Sequence, residues 1–348
     1  MKTLVLKIDP KKPQMAKIRK AARIIRREGI VAFPTETVYG LGANALNSRA
    51  VRKIFRAKRR PFDDPLIVHV CETGQAYLLV QKVDLRAKEL MDNFWPGPLT
   101  LVMKKSKKVP AITTGGLGSV AIRMPNHKIA CALIHESKVP IAAPSANLFG
   151  KPSPTMAQHV LVDLNGRIDA VIDGGKTRIG VESTVLDLTG KVALLLRPGG
   201  ISREQIEKVI GKIRVHAQVG SIAKKGAKRD FAKSPGMAYR HYAPRAEVIL
   251  VLGKGARSKI KLLTRNGKNF GVIIAGKKSG FRKGTIKIIG SNQAKIAREI
   301  YSALRGFDSA ANFHIERIYV DGSALTQKGI GPAVKNRLLK AASRVIKS

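Results

Sequence analysis

Lys58-Arg59-Arg60-Pro61, followed closely by Pro65-Leu66-Ile67-Val68-His69, sets the architecture of the first half of this chain. Ser48 to Lys58 spaces its apolar residues at a helical period, with Asn47 or Ser48 as cap, and Pro61 ends the run. Leu66 to Val70 is a short apolar run that reads as a strand. Cations before a strand and an imidazole at its end match the way open α/β sheets gather ligands at strand ends. Two further stretches repeat the arrangement: Pro144-Ser145-Ala146-Asn147, and Glu182-Ser183-Thr184 with Leu196-Arg197-Pro198-Gly199. Together they suit a polyphosphate and a small carboxylate, and they predict an ATP-consuming enzyme.

On either side the same alternation continues. Gln14 to Glu28 has a helical period, with Gly29 as its stop, and Ile30 to Phe33 is a short strand. Pro34 to Gly42, with two threonine hydroxyls and two glycines, reads as an exposed loop. Strands are predicted at 99–103, 120–124, 141–143, 170–172, 184–188 and 192–196, and helices at 84–94, 128–137, 155–164 and 202–210. The fold class is α/β (α+β), a large mixed sheet with helices. Residues 1–212 form this first domain. Residues 213–245, rich in Gly, Ala, Ser and Lys and closing on Ser234 to Pro244, read as a linker. Its His241 and Tyr242 are unusual in a mere spacer. Residues 246–348 form a small parallel α/β domain, with strands at 248–252, 272–275, 286–289 and 315–320 and helices at 292–304 and 333–345. Gly253-Lys254-Gly255 lacks the third glycine of a dinucleotide fingerprint and reads as a turn.

With 348 residues, 44% of them hydrophobic, the chain can bury a full core. Its formal net charge of +42 concentrates polyanions near the surface. Ion-pair networks of a heat-adapted surface need both signs, and acids are scarce here. Residues 213–348 hold 29 Lys and Arg against 6 Asp and Glu, and residues 1–212 hold 36 against 17, so the small domain is the more basic for its size. Docking of RNA there is an expectation separate from catalysis. Cys71 and Cys131 have no metal-ligand spacing, which argues against a disulfide scaffold or zinc site. Lys7, Asp9 and Lys11 break the first apolar stretch, and no run approaches a membrane span, so a soluble cytoplasmic protein is expected.

Splitting ATP between its α and β phosphates needs charge neutralisation and positioning more than a covalent nucleophile. Lys58 and Arg60, at the frayed end of a helix, can point towards one phosphate chain. Ser145 and Asn147 flank Ala146 and share a face if the segment is extended. Ser153 and Arg197 complete such a cradle, and no P-loop string occurs. His69, alone at the end of an apolar strand, reads by itself as a structural histidine. Tyr39, Trp95 and His127 read as packing or surface.

These strings, with Phe33-Pro34-Thr35-Glu36-Thr37-Val38-Tyr39-Gly40-Leu41 and Ala121-Ile122-Arg123-Met124-Pro125, resemble the YrdC-like threonylcarbamoyl-AMP synthase family in its long two-domain form. The resemblance covers residues 14–212 in the family's order, and the Ser234 to Pro244 string resembles the linker of the long form. It implies a YrdC-like catalytic domain with a smaller Rossmann-like C-terminal domain. The implied reaction joins L-threonine and bicarbonate and transfers the product to the α-phosphorus of ATP, releasing pyrophosphate. The resulting threonylcarbamoyl-AMP would pass to a separate transferase that modifies tRNA. By the same resemblance Thr35, His69, Arg123, Ala143 and Ser183 hold threonine, with Arg123 as the partner of its carboxylate and His69 as a contact, not a base. Arg60, Ser119, Ser145, Ser153 and Arg197 hold ATP, with Lys58 and Asn147 close by and Mg²⁺ on the triphosphate. Lys58 and Arg60 are the candidate catalytic cations. Asp64 stands where the family shows Asn, and either repels phosphate or helps a hydrated Mg²⁺. Ser119 stands where Thr is common. His241 and Tyr242 would close over the nucleotide as a lid. The competing readings are an RNA-binding module without catalysis and a carbamoyl-transfer enzyme; the latter lacks here its Cys-x-x-Cys zinc segments.

Overall fold

Helices with one apolar face cover both sides of a wide sheet, and the alternation of side chains along the strands decides which residue goes to which side. Along the second strand Val31 and Phe33 enter one core cluster and Ala32 the other. The computed structural model describes residues 2–220, 241–276, 281, 283–312 and 314–348. The first unit runs β1 (Leu4–Lys7), α1 (Met15–Arg26), β2 (Val31–Pro34), β3 (Tyr39–Asn44), α2 (Ser48–Lys58), β4 (Ile67–His69), α3 (Thr73–Leu79), α4 (Leu85–Phe94), β5 (Leu99–Lys104), β6 (Ser119–Arg123), α5 (Lys128–Ser137), β7 (Ile141–Ala142), α6 (Ala157–Leu164), β8 (Ala170–Asp173), β9 (Thr184–Asp187), β10 (Leu194–Arg197), α7 (Arg203–Ile210) and β11 (Arg214–Val215). Among the described residues these strands form one mixed sheet in the order β1-β8-β2-β3-β7-β4-β6-β5-β9-β10-β11. On one side Ile18, Ala22 and Ile25 of α1 pack with Leu133 and Ile134 of α5. Helices α2, α4, α6 and α7 supply apolar residues to the other cluster.

The second unit runs β12 (Glu247–Leu252), α8 (Ala256–Thr264), β13 (Phe270–Ala275), β14 (Thr285–Ile289), α9 (Gln293–Arg305), β15 (Arg317–Asp321), α10 (Gly331–Ala341) and β16 (Arg344–Lys347). Its strands are all parallel, in the order β14-β13-β15-β12-β16. Its main cluster takes in Val38 and Val181 of the first unit together with Ile296, Ala297, Ile300 and Tyr301 of α9. Gly180, at φ +86°, makes the approach: a Cβ there would lie 2.3 Å from the Arg298 Cα. The neighbouring backbone holds the 35–38 loop, Ile179 N–H donating to Glu36 O at 2.8 Å and Gly180 N–H to Thr37 O at 3.0 Å. No described helix is long and apolar enough to cross a membrane.

Several expectations need correction. The 34–42 loop shrinks to residues 35–38, because Tyr39–Asn44 pairs antiparallel with Val31–Pro34 and then with β7. Glu28, at φ 61°, takes the left-handed position that Gly29 was expected to hold. The expected helix 333–345 ends at Ala341, and Arg344–Lys347 forms a strand beside β12, where Val345 and Ile346 find partners that a helix would not give them. Arg214–Val215 pairs with β10, so the large sheet extends beyond residue 212. The first apolar stretch is an edge strand, Leu4–Lys7. Helices α3 and α8 were not foreseen. Most of the 213–245 segment, including Ser234 to Arg240, lies outside the described residues.

Candidate active site

Three backbone segments converge where the middle of the large sheet meets the small unit. The 143–146 segment is laid across the β2–β3 hairpin and β4 by main-chain bonds: Ala143 N–H to Ile67 O at 2.9 Å, Leu41 N–H to Pro144 O at 2.8 Å and Ala146 N–H to Tyr39 O at 2.8 Å. Gly199 closes the third side. A Cβ there would fall 2.2 Å from Thr184 N and 2.5 Å from Glu182 O, so only glycine lets the Arg197-Pro198-Gly199 turn lie against the 182–184 backbone. The cavity between them, about 60 Å³, is walled by Thr35, His69, Arg123, Ala143 and Ser183, and by Arg60, Ser145, Arg197 and Tyr242.

Arg123 is committed on three sides. Its Nε donates to Gly97 O at 3.2 Å and its Nη1 to Thr37 Oγ1 at 2.9 Å, while Nη2 lies 2.6 Å from Glu36 Oε1. That last contact is an ion pair off the hydrogen-bonding line, and Glu36 Oε2 has no hydrogen-bond partner among the described residues. Thr35 Oγ1 donates to Val38 O at 2.7 Å, which closes the loop on itself. Ser183 Oγ is 2.7 Å from Thr100 Oγ1 and accepts from Arg197 Nη2 at 3.2 Å. His69 is buried, its Nδ1 lying 3.2 Å from Ile67 O; burial first, and then the Arg123 charge, push its pKa down to about 3. A neutral imidazole at this position, one nitrogen a donor and the other an acceptor, can exchange hydrogen bonds but does not take up a second proton near pH 7.

Around Arg60 the charges are paired. Its Nη2 lies 2.9 Å from Asp64 Oδ2, both side chains buried, and its guanidinium stands 5.9 Å from the Phe149 ring. Phe149 meets His241 edge-on at 5.0 Å, and Tyr242, at φ 65°, stacks on Tyr301 at 5.4 Å. The His241–Tyr242 step thus roofs the cavity. The small unit supports that roof from behind. Glu182, in the cavity wall, accepts from Ser153 Oγ at 2.5 Å, from Tyr301 at 2.9 and 3.1 Å and from Arg337 Nε at 2.6 Å. Burial works against the Glu182 carboxylate, yet Arg337 and then Arg197 hold its pKa below the usual range.

Five of the sequence-selected residues do not reach the cavity wall. Lys58 is fully buried, and its Nζ donates to the carbonyls of Ser145 and Asn147 at 2.5 Å each; it braces the 145–147 turn and does not extend beside Arg60. The helix ends at Arg59 in a left-handed turn, φ 54°, after which Arg60 bonds the Asp64 and Pro65 carbonyls while Lys58 bonds the 145–147 turn. Asn147 turns away because the segment is not extended: its N–H bonds Ser145 O at 3.0 Å, and its Nδ2 donates to Leu148 and Lys151 carbonyls. Asp64 is the counter-ion of Arg60, 2.9 Å from its Nη2. Ser153 is held by Glu182, and Ser119 opens β6 opposite Lys104. Tyr39 and Trp95 pack as expected, bonding Gly175 O and Leu99 O.

Residues 23–199 match the Sua5/YciO/YrdC family, described as telomere recombination, and residues 201–343 match the threonylcarbamoyl-AMP synthase C-terminal domain. The threonylcarbamoyl-AMP synthase of Pyrococcus abyssi is 51% identical over 340 residues, covering 95% of this chain and 96% of its own length. The chain belongs to the threonylcarbamoyl-AMP synthase family. The Bacillus subtilis synthase is 47% identical over 96% of this chain and 95% of its own. The crystal structure of P. abyssi Sua5 complexed with L-threonine superposes with a TM-score of 0.92 at 48% identity, covering 99% of this chain and all of that one. Within this synthase fold, Thr37, Glu36, Glu182, Tyr301 and Arg337 were not selected from sequence. Glu36 and Glu182 carried a signal, as acids inside apolar-flanked motifs of a basic chain. Tyr301 and Arg337 carried none, because only the packing of the two units brings α9 and α10 to the cavity.

Proposed function

We propose that the cavity holds L-threonine against Thr35, His69, Arg123, Ala143 and Ser183, and MgATP against Arg60, Ser145, Arg197 and Tyr242. The reaction is synthesis of threonylcarbamoyl-AMP from L-threonine, bicarbonate and ATP, for threonylcarbamoyladenosine in tRNA. The threonine amine and bicarbonate give N-carboxythreonine and water, a new carboxylate oxygen bonds to the α-phosphorus, and the bond to the β-phosphate oxygen breaks to free pyrophosphate. What carries the reading is the meeting of residues of both sets in one cavity. Its cations stabilise charge on the phosphates, and its walls keep water from a labile mixed anhydride. Among the described residues no cluster of three or more His, Cys, Asp or Glu could hold a metal ion. The nearby carboxylates Glu36, Asp64 and Glu182 each face an arginine, so Mg²⁺ would come in on the triphosphate.

An ATP-sized ligand needs several hundred Å³. The 60 Å³ cavity would gain that room if the His241–Tyr242 roof withdrew, and its return over the nucleotide would be the lid role in physical terms. The product would then leave to a separate cytoplasmic transferase, and the basic surface would contact tRNA. Separate substitutions test the two subsites. Arg123→Ala is expected to raise the threonine KM more than about tenfold with a smaller change for ATP, and Arg197→Ala the reverse. Equal shifts in both constants from either variant would contradict the assignment.

A further inference from the structure

Arg337 is the largest fully buried side chain among the described residues, and no step of the reaction above uses it. It belongs to α10 of the small unit, yet its Nε donates to Glu182 Oε2 at 2.6 Å, beside Ser183 in the cavity wall. Its guanidinium carbon lies 5.6 Å from the centroid of the Tyr242 ring, which is also cavity wall. Nη1 donates to Asn336 Oδ1 at 2.8 Å, and Asn336 Nδ2 donates to Val219 O at 2.6 Å, where the chain leaves the first unit. Nη2 has no hydrogen-bond partner among the described residues. One side chain therefore touches Glu182 and Tyr242 directly and, through Asn336, the exit from the first unit.

Burying a guanidinium and a carboxylate together is a poor way to glue two surfaces, since apolar residues of the same volume do it as well or better. What the pair adds is direction, because the planar fork fixes both the acid and the ring it faces. Glu182 in turn fixes Ser153, and the Ser183 carbonyl next to it accepts from Arg197 Nε at 3.1 Å. Ser153, Arg197 and Tyr242 lie on the nucleotide side of the proposed arrangement, and Ser183 stands between the two sides. On the threonine side Arg123 is held by Glu36, Thr37 and Gly97, none of which touches Arg337.

We infer that Arg337 is a positioning residue for nucleotide binding, by which the small unit sets Glu182, Arg197 and Tyr242 to receive ATP. The inference rests on the nucleotide subsite proposed above. Its test is the KM for ATP and for threonine, with kcat and Tm, in the full-length protein and in Arg337→Lys, Arg337→Met and the Glu182→Gln/Arg337→Met pair. Arg337→Met alone leaves a buried carboxylate unpaired and should lower Tm. The double variant should regain most of that Tm while its ATP KM stays at least about tenfold high and its threonine KM within about twofold of the parent. Arg337→Lys, which keeps the charge and loses the fork, should show the same split. A double variant whose ATP KM returns with its Tm, a lysine variant with an unchanged ATP KM, or a parallel rise in both KM values would overturn the inference. Arg197→Ala, run alongside, separates the two claims: an unchanged ATP KM there would instead defeat the subsite assignment.

Discussion

Gly199 shows how much one missing side chain decides at this site. Any Cβ there must displace the backbone of Ser183 and Thr184, so Gly199→Ala is expected to cut kcat/KM more than about a hundredfold and to lower Tm by several degrees, checked by steady-state kinetics and thermal unfolding. His69 and His241 make a second residue-level prediction. Burial, followed by nearby cations, holds His69 at about 3 and His241 well below its ordinary value, so both are neutral when folded. In the unfolded chain they titrate near pH 6.5, so the unfolded state binds more protons below that pH and stability falls as pH drops. Between pH 7 and pH 5 His69 should cost about 2 kcal/mol, and His241 acts in the same direction, before most carboxylates titrate. Thermal melts across that range should show the loss, and His69→Gln should remove the His69 share of it. A pH-independent Tm would count against the burial of these rings. For the same reason His69 should contribute no inflection to kcat/KM between about pH 6 and 8.

The elements that carry the site were legible where local chemistry is strong. Helix Ser48–Lys58, with its Asn47 cap, and helix Lys128–Ser137 match their expected bounds because their apolar periods are clean and nothing distant competes. The 39–44 strand was missed because its two glycines mimic a loop; pairing with Val31–Pro34 and close approach to Ile141 explain them better. Lys58 and Arg60 were read as a pair because a frayed helix end hides the left-handed turn at Arg59. Contacts such as Tyr301 and Arg337 to Glu182 span more than a hundred residues, and no local pattern announces them. The docking of α9 yields a prediction at this scale. A chain ending at residue 220 would expose Val38 and Val181 and leave the Glu182 carboxylate without Tyr301 and Arg337. It should bind an apolar dye, aggregate on mild heating and lose most of its turnover. A monodisperse fragment with undiminished kcat would show that the small unit is dispensable.

Across the whole molecule, two kinds of positive charge have to be kept apart. Three buried cations at the site have carboxylate partners: Arg60 with Asp64 and Arg123 with Glu36 in the cavity wall, and Arg337 with Glu182 behind it. The excess that makes the chain +42 stands in good part on the exposed faces of helices such as α1, which carries no acid in its first turn. Binding of tRNA through that surface should weaken steeply between about 50 and 200 mM salt, as counterion release requires, and Arg123→Ala should leave it unchanged; a salt-independent affinity in a filter-binding titration would count against a surface contact. The catalytic claim is answered by a different experiment, pyrophosphate release from MgATP by the full-length protein with threonine and bicarbonate omitted in turn. Release that requires both, with a product whose mass is that of AMP joined to N-carboxythreonine, is the predicted result. Release that persists without threonine or without bicarbonate, or none from the folded protein with everything present, would contradict the account.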